Sequence, residues 1–452
     1  MNKKLFRFSR YMHWRKKGQN VVIFHELHPI PLYYSYQDWK ELSVALNKTD
    51  NSFIKQLKKY KLIIKSKKDD DKEYSKTVQK LKARLNQVSI LYLILTWNCN
   101  FSCKYCPSAQ NAKKWGNSNM SFETAKAGIN LWLQHLKNNS DKNLDYFIIF
   151  YGGEPFLNQE TLIKTLTYIE ELQKQKKLSR KHLHILIPTN GSLINKEIIK
   201  LLKKYETEIV IAIDGPKKIN DYYRKDNNNN GTFKKIEQTL RLLQKNKIKT
   251  FASVAITPFN LNQIQNYYLF LNKYHIKQFG FNILRGKSIF KLISQKDIKK
   301  YYVKATNGII KNFLVSKRPN FEALMKTKYN TFSNHLFPPI DCGGCGNQLV
   351  IQPNGYISNC PFLNYNLGDV RRVNKNFRIW KTKIVRRFRQ RLPLWNKSYR
   401  NYEAKSLNGG GCPSNVKELK GNILAKDDFA DIFAQKVLDL FIWSKFDKKY
   451  EK

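Results

Sequence analysis

Three cysteines close together in the chain, Cys99, Cys103 and Cys106, follow an apolar segment at residues 90–95. The Ile and Leu residues of that segment predict a buried strand, with the cysteines on the loop at its end. Thiolates are soft ligands that suit iron–sulfur clusters. Three of them leave one iron of a 4Fe–4S cluster open to a substrate or cofactor, as open positions do in other catalytic metal sites. For the triplet alone, the alternatives are a zinc site or a group of buried thiols without redox chemistry.

A second apolar segment, residues 145–151, ends in Gly152-Gly153-Glu154-Pro155. Glycines let the backbone approach a ligand closely. Glu154 offers an acceptor to a cationic group, and the proline ends the strand. Alone, such a sequence is more often a plain turn. Its position, one strand–helix unit after the cysteines, favours a ligand site.

Together the two motifs resemble those of radical S-adenosylmethionine (SAM) enzymes. In that family a C-x3-C-x2-C triplet with an aromatic residue before its last cysteine holds the cluster, and SAM chelates the open iron through its amino and carboxylate groups. The backbone of a GGE(P) motif contacts the SAM amino group. The resemblance therefore implies a 4Fe–4S cluster on the triplet, and SAM contacts from Tyr105, Gly152, Gly153 and Glu154.

Two later turns, Thr-Asn-Gly at 189–191 and Asp-Gly-Pro at 214–216, follow predicted strands. Both are ordinary turn sequences, yet they are familiar in radical SAM enzymes that modify peptides and proteins. The resemblance implies that Asn190 binds the SAM ribose and that Arg224 pairs with the SAM carboxylate, for which a guanidinium fork is well suited. Ala212 stands where the family pattern has Ser, so one expected hydroxyl contact is missing.

Strand-like and helix-like segments alternate from residue 90 to 284, which is typical of a parallel sheet with crossover helices. The predicted fold class is α/β, and the six strand–helix units resemble the partial (β/α)6 barrel of radical SAM enzymes, here spanning 89–290. The chemistry is expected at the carboxyl ends of the strands. Helices are predicted from Ser121 to Leu136 and from Gln159 to Lys174. The predicted strands are 90–96, 145–151, 183–188, 209–213, 252–257 and 279–284.

Residues 1–88 are predicted to form a separate N-terminal α+β domain, ending in a charged linker or helix. The pattern resembles the winged-helix-like domain found before many peptide-modifying radical SAM enzymes, which binds the leader of a precursor peptide as an added strand. Any small α+β cap gives a similar pattern. The predicted strands are 20–24, 31–34 and 62–64, and the predicted helices are 36–46 and 52–59.

Four further cysteines follow the barrel, and the first two form a C-x2-C pair that fits zinc as readily as iron. The spacing onward, through Asn354-Gly355, suits a hairpin turn. It resembles the start of the SPASM and twitch domains that carry auxiliary 4Fe–4S clusters. The resemblance implies a one-cluster, twitch-like domain at 291–420, followed by a C-terminal helix within 421–452. Its four cluster ligands would be Cys342, Cys345, Cys360 and Cys412.

The net charge of the chain is +48, and residues 371–400 contain twelve Lys or Arg and no Asp or Glu. This basic block is predicted to face an acidic partner, with the precursor peptide favoured. The alternatives for the positive charge are nucleic acid, an anionic membrane surface and ordinary solvated helix faces. No apolar run is long enough to span a membrane, and the basic N-terminus lacks the apolar region of a secretory signal. Cysteines grouped in cluster motifs indicate a reducing cytoplasm.

We therefore predict a cytoplasmic radical SAM maturase of a ribosomally synthesised peptide, supplied with electrons by a flavodoxin or ferredoxin. A 5′-deoxyadenosyl radical would take a hydrogen atom from the peptide. The two clusters use all seven cysteines, whereas radical SAM epimerases typically need a free one, so an intramolecular cross-link is predicted. The alternatives are an epimerase, an RNA- or small-molecule-modifying enzyme, and a non-catalytic peptide-binding adaptor. The intact motifs argue against an adaptor.

Overall fold

The computed structural model contains three β-sheets surrounded by helices. No helix in the described part of the chain is long and apolar enough to cross a membrane. The residues that the structure describes are 6–44, 46, 52–108, 111–112, 118–137, 139, 143–317, 322–333, 339–363 and 365–444.

The N-terminal unit combines a three-stranded antiparallel sheet, in the order β2-β3-β4, with a short β1–β5 pair and three helices. Its elements are β1 (Arg7–Phe8), β2 (Met12–Lys17), β3 (Asn20–His25), β4 (His28–Ser35), α1 (Tyr36–Val44), α2 (Ser52–Lys59), β5 (Ile63–Ile64) and α3 (Lys67–Leu85).

Strand β3 is the centre of this unit, because its run of Val and Ile side chains is fully buried. Strand β2 pairs along its whole length with β3. The sequence analysis does not predict β2, in which three of the six residues are Arg or Lys and none is buried. The segment predicted as a linker or helix is the helix α3, which begins with a capping box between Ser66 and Asp69. The helix predicted at 36–46 ends earlier, at Val44.

The barrel follows as six parallel strands with helices between them, as predicted. Strand β6 has the predicted bounds, and the other five strands begin or end one or two residues away from them. The elements are β6 (Ile90–Thr96), α4 (Phe122–Leu136), β7 (Tyr146–Gly152), α5 (Gln159–Lys174), β8 (Leu183–Thr189), α6 (Lys196–Lys204), β9 (Glu208–Ala212), α7 (Lys217–Tyr223), α8 (Phe233–Lys245), β10 (Thr250–Ile256), α9 (Tyr267–Asn272) and β11 (Phe279–Ile283).

Side chains alternate between two environments along these strands. On β7, for example, Ile148 and Phe150 are fully buried under the helices, while Ile149 and Tyr151 stay partly accessible. Successive side chains of a strand point to opposite faces of the sheet. The partly accessible set therefore lines the concave side of the barrel, where a substrate can enter.

After the barrel, a four-residue strand joins the same sheet and extends it beyond the six predicted strands. Strand β12 (Gln348–Ile351) lies parallel to β6. Strand β13 (Ile357–Ser358) then pairs antiparallel with β12. The predicted hairpin is therefore present, with Gly355 at a positive φ of 89° in its turn. The complete sheet has eight strands in the order β11-β10-β9-β8-β7-β6-β12-β13.

The remaining helices are α10 (Ile298–Ser316), α11 (Ala323–Ser333), α12 (Lys383–Arg389), α13 (Pro413–Lys420) and α14 (Asp428–Trp443). The last of these packs on α10 and contributes buried side chains such as Phe433 and Leu438 to the main core. The N-terminal sheet is tied to this region by a buried ion pair of 2.6 Å between Lys405 and Glu26.

Part of the basic block at 371–400 lies inside the molecule. Arg391 is buried, and its guanidinium donates to the carbonyls of Ile423 and Gly410. Arg389 donates to the carbonyls of Cys345 and Leu85, both at 2.7 Å. These two guanidiniums hold the fold together. The prediction that the whole block faces a partner is therefore wrong for them, whereas nine of its twelve basic residues are exposed.

Candidate active site at the carboxyl ends of the strands

The cysteine triplet (Cys99, Cys103 and Cys106) lies on the loop that leaves β6, as predicted. The loop is held against the chain that follows α7. The amide of Ser102 donates to the carbonyl of Lys225 at 2.9 Å, and the amide of Lys104 donates to that of Tyr223 at 3.0 Å. The loop and residues 223–226 therefore form one wall of the site.

The Gly152-Gly153 turn lies directly against the start of this cysteine loop. The amide of Gly153 donates to the carbonyl of Thr96, and the amide of Glu154 donates to that of Asn98, both at 2.9 Å. A Cβ atom at either glycine would overlap these carbonyl oxygens. Glycine was expected here for close approach to a ligand. In the structure the close approach is to the backbone of the cysteine loop.

The Glu154 carboxylate is completely buried and joins two of the predicted motifs. It accepts hydrogen bonds from the hydroxyl of Thr189 at 2.9 and 3.0 Å and from the amide of Asn190 at 2.8 Å. The amide of Phe156 donates to it at 3.2 Å. Every one of these donors belongs to the protein's own loops. In the structure Glu154 therefore holds the Gly-Gly turn to the Thr-Asn-Gly turn.

Burial raises the pKa of Glu154 to about 7, in spite of these hydrogen bonds. An unfolded Glu loses its proton near pH ~4.3. Between these pH values the folded protein retains a proton that the unfolded chain has lost, so stability falls as the pH rises.

We expect this effect in the free energy of unfolding of the metal-free protein, measured with urea at pH 5 and pH 8. The difference between the free energies of unfolding of the wild type and of Glu154→Gln should fall by up to about 3 kcal/mol between pH 5 and pH 8. This is about the free energy that corresponds to the pKa shift of Glu154. Other buried carboxyls cancel in this difference because both proteins contain them. A difference that stays constant with pH would contradict the prediction.

Asn190 is nearly buried, and its side-chain amide is used within the site. Its Nδ2 donates to Oδ1 of Asn100 at 2.9 Å and lies 3.8 Å from Sγ of Cys99. Its Oδ1 accepts from the amide of Ser192 at 2.8 Å. These bonds brace the cysteine loop. The predicted contact of Asn190 with a ribose stays a prediction.

Tyr105, Asp214 and Arg224 form a buried polar cluster beside the triplet. The Tyr105 hydroxyl donates to the Asp214 carboxylate and accepts from the Arg224 guanidinium at 3.0 Å. The Nε atom of Arg224 is buried without a hydrogen-bond partner in the described part of the chain. A buried donor without a partner is costly. An anionic group bound here, such as a carboxylate, would satisfy it.

Two of the three triplet thiols, those of Cys99 and Cys103, have raised pKa values. Burial raises the pKa of Cys99 to about 11 and that of Cys103 to about 12, and the charges of neighbouring cysteines add to both shifts. The nearby Arg224 guanidinium acts in the opposite direction. A positive group beside three close thiols fits the binding of a cluster by thiolates.

The auxiliary cysteines (Cys342, Cys345, Cys360 and Cys412) also come together. Burial raises the pKa of Cys342 to about 12, and the charge of Cys412 adds to this shift. Cys342 in turn raises the pKa of Cys345 and Cys360. Four soft ligands in one group, two of them buried, fit a second iron–sulfur cluster. Among the described residues, no three His, Cys, Asp or Glu side chains are placed so that they could hold a metal ion. The assignment of the four cysteines as cluster ligands therefore rests on their grouping and on the preference of iron–sulfur clusters for thiolates.

Two tyrosines on the concave side of the barrel lie between the two cysteine groups. Tyr92 and Tyr151 contact each other edge to face, with ring centroids 5.9 Å apart. The charge of Cys106 acts on Tyr151, and the charge of Cys360 acts on both rings. The two tyrosines therefore lie near both the triplet and the auxiliary cysteines.

Sequence reasoning missed Tyr92, Tyr151 and Arg285 as residues near the two cysteine groups. Arg285 follows β11 at the carboxyl end of the last barrel strand. That position is a signal the sequence offered, since such ends form the active site in barrels of this kind. In the sequence the two tyrosines look like ordinary strand residues. Only the folded sheet shows that they lie near the cysteine groups.

The model of the family described as "Radical SAM superfamily" matches residues 93–271, which contain the triplet, the Gly-Gly turn and Arg224. Residues 93–271 therefore carry a radical SAM domain. The protein is therefore an enzyme of the SAM-dependent iron–sulfur kind. Such enzymes use a 4Fe–4S cluster and SAM, and the cysteine loop with its neighbouring turns is the part of this radical SAM enzyme that suits both.

Among its relatives is the radical SAM cyclopropyl synthase TigE of Paramaledivibacter caminithermalis. The two sequences are 24% identical over 298 residues, which cover 61% of this chain and 57% of the synthase. This radical SAM enzyme therefore matches a little over half of that relative.

Two solved structures share the fold. The structure named native anSMEcpe with bound AdoMet and Cp18Cys peptide has a TM-score of 0.62 at 19% identity, covering 79% of this chain and 99% of the other. Streptococcus suis SuiB bound to precursor peptide SuiA has a TM-score of 0.52 at 15% identity, covering 94% and 99%. At these identities the likeness concerns the fold.

Proposed function

We propose that this radical SAM enzyme is a maturase of a ribosomally synthesised peptide and closes a cross-link within it. The observation that carries the proposal is the position of Tyr151, which is near both Cys106 of the triplet and Cys360 of the auxiliary group. A substrate residue bound between these groups would meet the radical-generating site on one side and an electron acceptor on the other.

The residues fit two clusters and SAM. The triplet would hold the first cluster, and the auxiliary cysteines would hold the second, within the proposed twitch-like domain at 291–420. The Arg224 guanidinium, with its unpartnered Nε, would take the SAM carboxylate. Glu154, through its bonds to the neighbouring turns, would fix the glycine backbone beside SAM. When bound, these groups would supply a 5′-deoxyadenosyl radical.

A peptide substrate is supported by the N-terminal unit and by the compared proteins. In the described residues, the outer strands β2 and β4 of the three-stranded sheet each pair on one side. An extended leader peptide can add to such an edge, so we assign leader binding to residues 1–88. The two solved structures named above contain bound peptides by their titles. The seven free thiols agree with a reducing cytoplasm and a flavodoxin or ferredoxin as electron donor.

The cross-link follows from the use of the cysteines. All seven are assigned to clusters, which leaves no thiol to return a hydrogen atom to a substrate radical. Such a radical can instead attack a neighbouring side chain. One hydrogen leaves as an atom to the 5′-deoxyadenosyl radical. The second leaves as a proton, with its electron passing to the auxiliary cluster. The peptide then gains one bond and loses two hydrogens.

The mass of the modified peptide tests this proposal. The reconstituted enzyme is incubated without oxygen, in heavy water, with SAM, a reductant and each short peptide that is found to be encoded near its gene. We expect a mass lower by about two hydrogens for each cross-link, as two hydrogens leave when one bond forms between existing residues. Fragmentation should give no cleavage between the linked residues.

The matched control is the same incubation with a variant that lacks the auxiliary ligands Cys342, Cys345 and Cys412. It should still cleave SAM but leave the peptide without a cross-link. A peptide of unchanged mass that takes up one deuterium would instead indicate epimerisation and a free cysteine. No change in any nearby peptide, with turnover of an RNA or a small molecule, would favour the alternative substrate classes.

A further inference from the structure

An exposed pair of aromatic side chains lies beside the cysteine loop. Tyr222, near the end of α7, stacks on Phe259, which follows β10. The two ring centroids are 4.1 Å apart, and the ring planes differ by 9°. Tyr222 is 55% exposed, and Phe259 is partly exposed. A single exposed aromatic residue is ordinary, whereas grouped aromatic residues are typical of surfaces that bind another molecule.

Ring contacts connect this pair to the cysteine loop. Tyr222 contacts Tyr223 edge to face, with ring centroids 4.6 Å apart. Tyr223 contacts Tyr105 of the cysteine loop in the same way at 6.4 Å. The carbonyl of Tyr223 also accepts from the amide of Lys104 in that loop at 3.0 Å. Only Tyr223 therefore stands between the exposed Tyr222 ring and the loop that carries the triplet.

Lysines lie around the aromatic pair. Lys218 is four positions before Tyr222 on α7, and side chains at this spacing share one face of a helix. Lys104 and Lys225 belong to the two chain segments whose backbones are hydrogen-bonded to each other beside it. Lys104 and Lys218 are exposed, and Lys225 is partly exposed. An aromatic centre with a polar rim is the usual composition of a protein–protein interface.

Acidic residues do not cancel the charge of these lysines. Residues 217–230 contain three Lys and two Asp. One of the two, Asp221, pairs with Lys217 at 3.3 Å and accepts from the amide of Phe233 at 2.7 Å. The other is Asp226. With Lys104 added, the region keeps more positive than negative charge, so it attracts a partner with an acidic surface.

We call this region the aromatic–lysine face, made up of Lys104, Lys218, Tyr222, Lys225 and Phe259. We propose that it is the docking surface for a one-electron carrier protein with an acidic surface. The carrier loses one electron and the triplet cluster gains it, and no bond is made or broken. A carrier must leave after each transfer, which suits a small and largely electrostatic contact. The inference rests on the proposed supply of electrons by a flavodoxin or ferredoxin.

Binding of an acidic flavodoxin and of an acidic ferredoxin to the reconstituted full chain tests this surface, by isothermal titration without oxygen. In Lys218→Glu the affinity for the carrier should fall at least about tenfold, because a like charge then faces the acidic partner. Tyr222→Ser should weaken binding by a similar factor, since aromatic residues at the centre of an interface carry much of its binding energy. Binding to the wild type should weaken from about 50 to about 200 mM salt.

Lys245→Glu is the matched control for the change of charge. Lys245 is exposed at the last position of α8, shortly before β10 begins. It therefore lies at the amino end of the barrel strands, away from the triplet at their carboxyl ends. This variant should bind both carriers as the wild type does.

The rate of electron transfer shows what the binding is for. Bleaching of the cluster absorbance is followed by stopped flow, and SAM cleavage is measured, first with the reduced carrier and then with dithionite. Lys218→Glu and Tyr222→Ser should be slow with the carrier and equal to the wild type with dithionite, a small reductant that needs no docking surface. Wild-type affinities and rates with the carrier, or equal losses with both reductants, would overturn the proposal.

Two further outcomes separate this inference from the proposed function. Loss of binding of the modified peptide in these variants, with carrier binding unchanged, would overturn it and make the face part of a substrate site. A wild type that accepts electrons from dithionite and from neither carrier would overturn it together with the proposed donor. Reduction and SAM cleavage need no peptide, so an absent cross-link would refute the proposed reaction while this inference stands.

Discussion

Replacing Cys99, Cys103 and Cys106 together by alanine should abolish SAM cleavage entirely. The triplet is the group of cysteines on the β6 loop, and without thiolates no open iron is available to SAM. The reconstituted variant should contain about four fewer irons per chain than the wild type, the content of one 4Fe–4S cluster. Iron and sulfide assays, together with chromatography of 5′-deoxyadenosine, measure both losses.

The auxiliary cysteines offer the matched control for this experiment. A variant lacking Cys342, Cys345 and Cys412 should lose a similar amount of iron and still cleave SAM without a peptide. The pair of variants separates the two clusters by function. If the triplet variant still releases 5′-deoxyadenosine, the central assignment of this site is wrong.

Glu154→Gln is the second change with a large expected effect, although it alters few atoms. Both carboxylate oxygens accept hydrogen bonds, one from the amide of Phe156 and the other from the amide of Asn190, and Thr189 donates to both. A Gln side chain places an NH2 group against one of these donors. Each buried donor left without an acceptor costs about 1–3 kcal/mol, so SAM affinity should fall roughly 10- to 100-fold.

Isothermal titration of SAM into the reconstituted variant measures this loss. Glu160→Gln is the control, because Glu160 is exposed on the next helix and pairs with Lys164. Its SAM affinity should equal that of the wild type. Normal affinity in Glu154→Gln would show that the two turns keep their positions without the carboxylate.

Local features of the fold were predictable from the sequence. The bounds of β6 and of the helix Gln159–Lys174 agree with the prediction, and the hydroxyl of Ser121 accepts from the amide of Thr124, as expected of an N-cap. Apolar periodicity, capping residues and turn residues are written in short stretches of chain. The motif residues of the site were predictable in the same way.

Contacts between distant parts of the chain were not predictable from the sequence. The Tyr105 hydroxyl meets Asp214 across 109 positions, and the hydrogen bonds of Glu154 reach Thr189 and Asn190 in the next turn. The sequence around Glu154 does not indicate that its carboxylate oxygens accept hydrogen bonds from the protein's own loops. Likewise β12 has four residues and becomes a strand because β6 offers an edge. Such contacts depend on the folded topology, since the sequence of one segment does not indicate which distant segment will lie against it.

The parallel pairing of β12 with β6 has a mechanical consequence. Cys345 lies just before one of these strands and Cys99 just after the other. The hydrogen-bonded ladder covers four residue pairs, and β6 continues for three residues beyond it. The strand as a whole works as a rigid spacer of roughly 20 Å at the usual rise per residue. Neither cysteine group can drift from the other without breaking that ladder. If a substrate binds between the two cysteine groups, as proposed above, it would have to adapt its own shape to the separation that this strand sets.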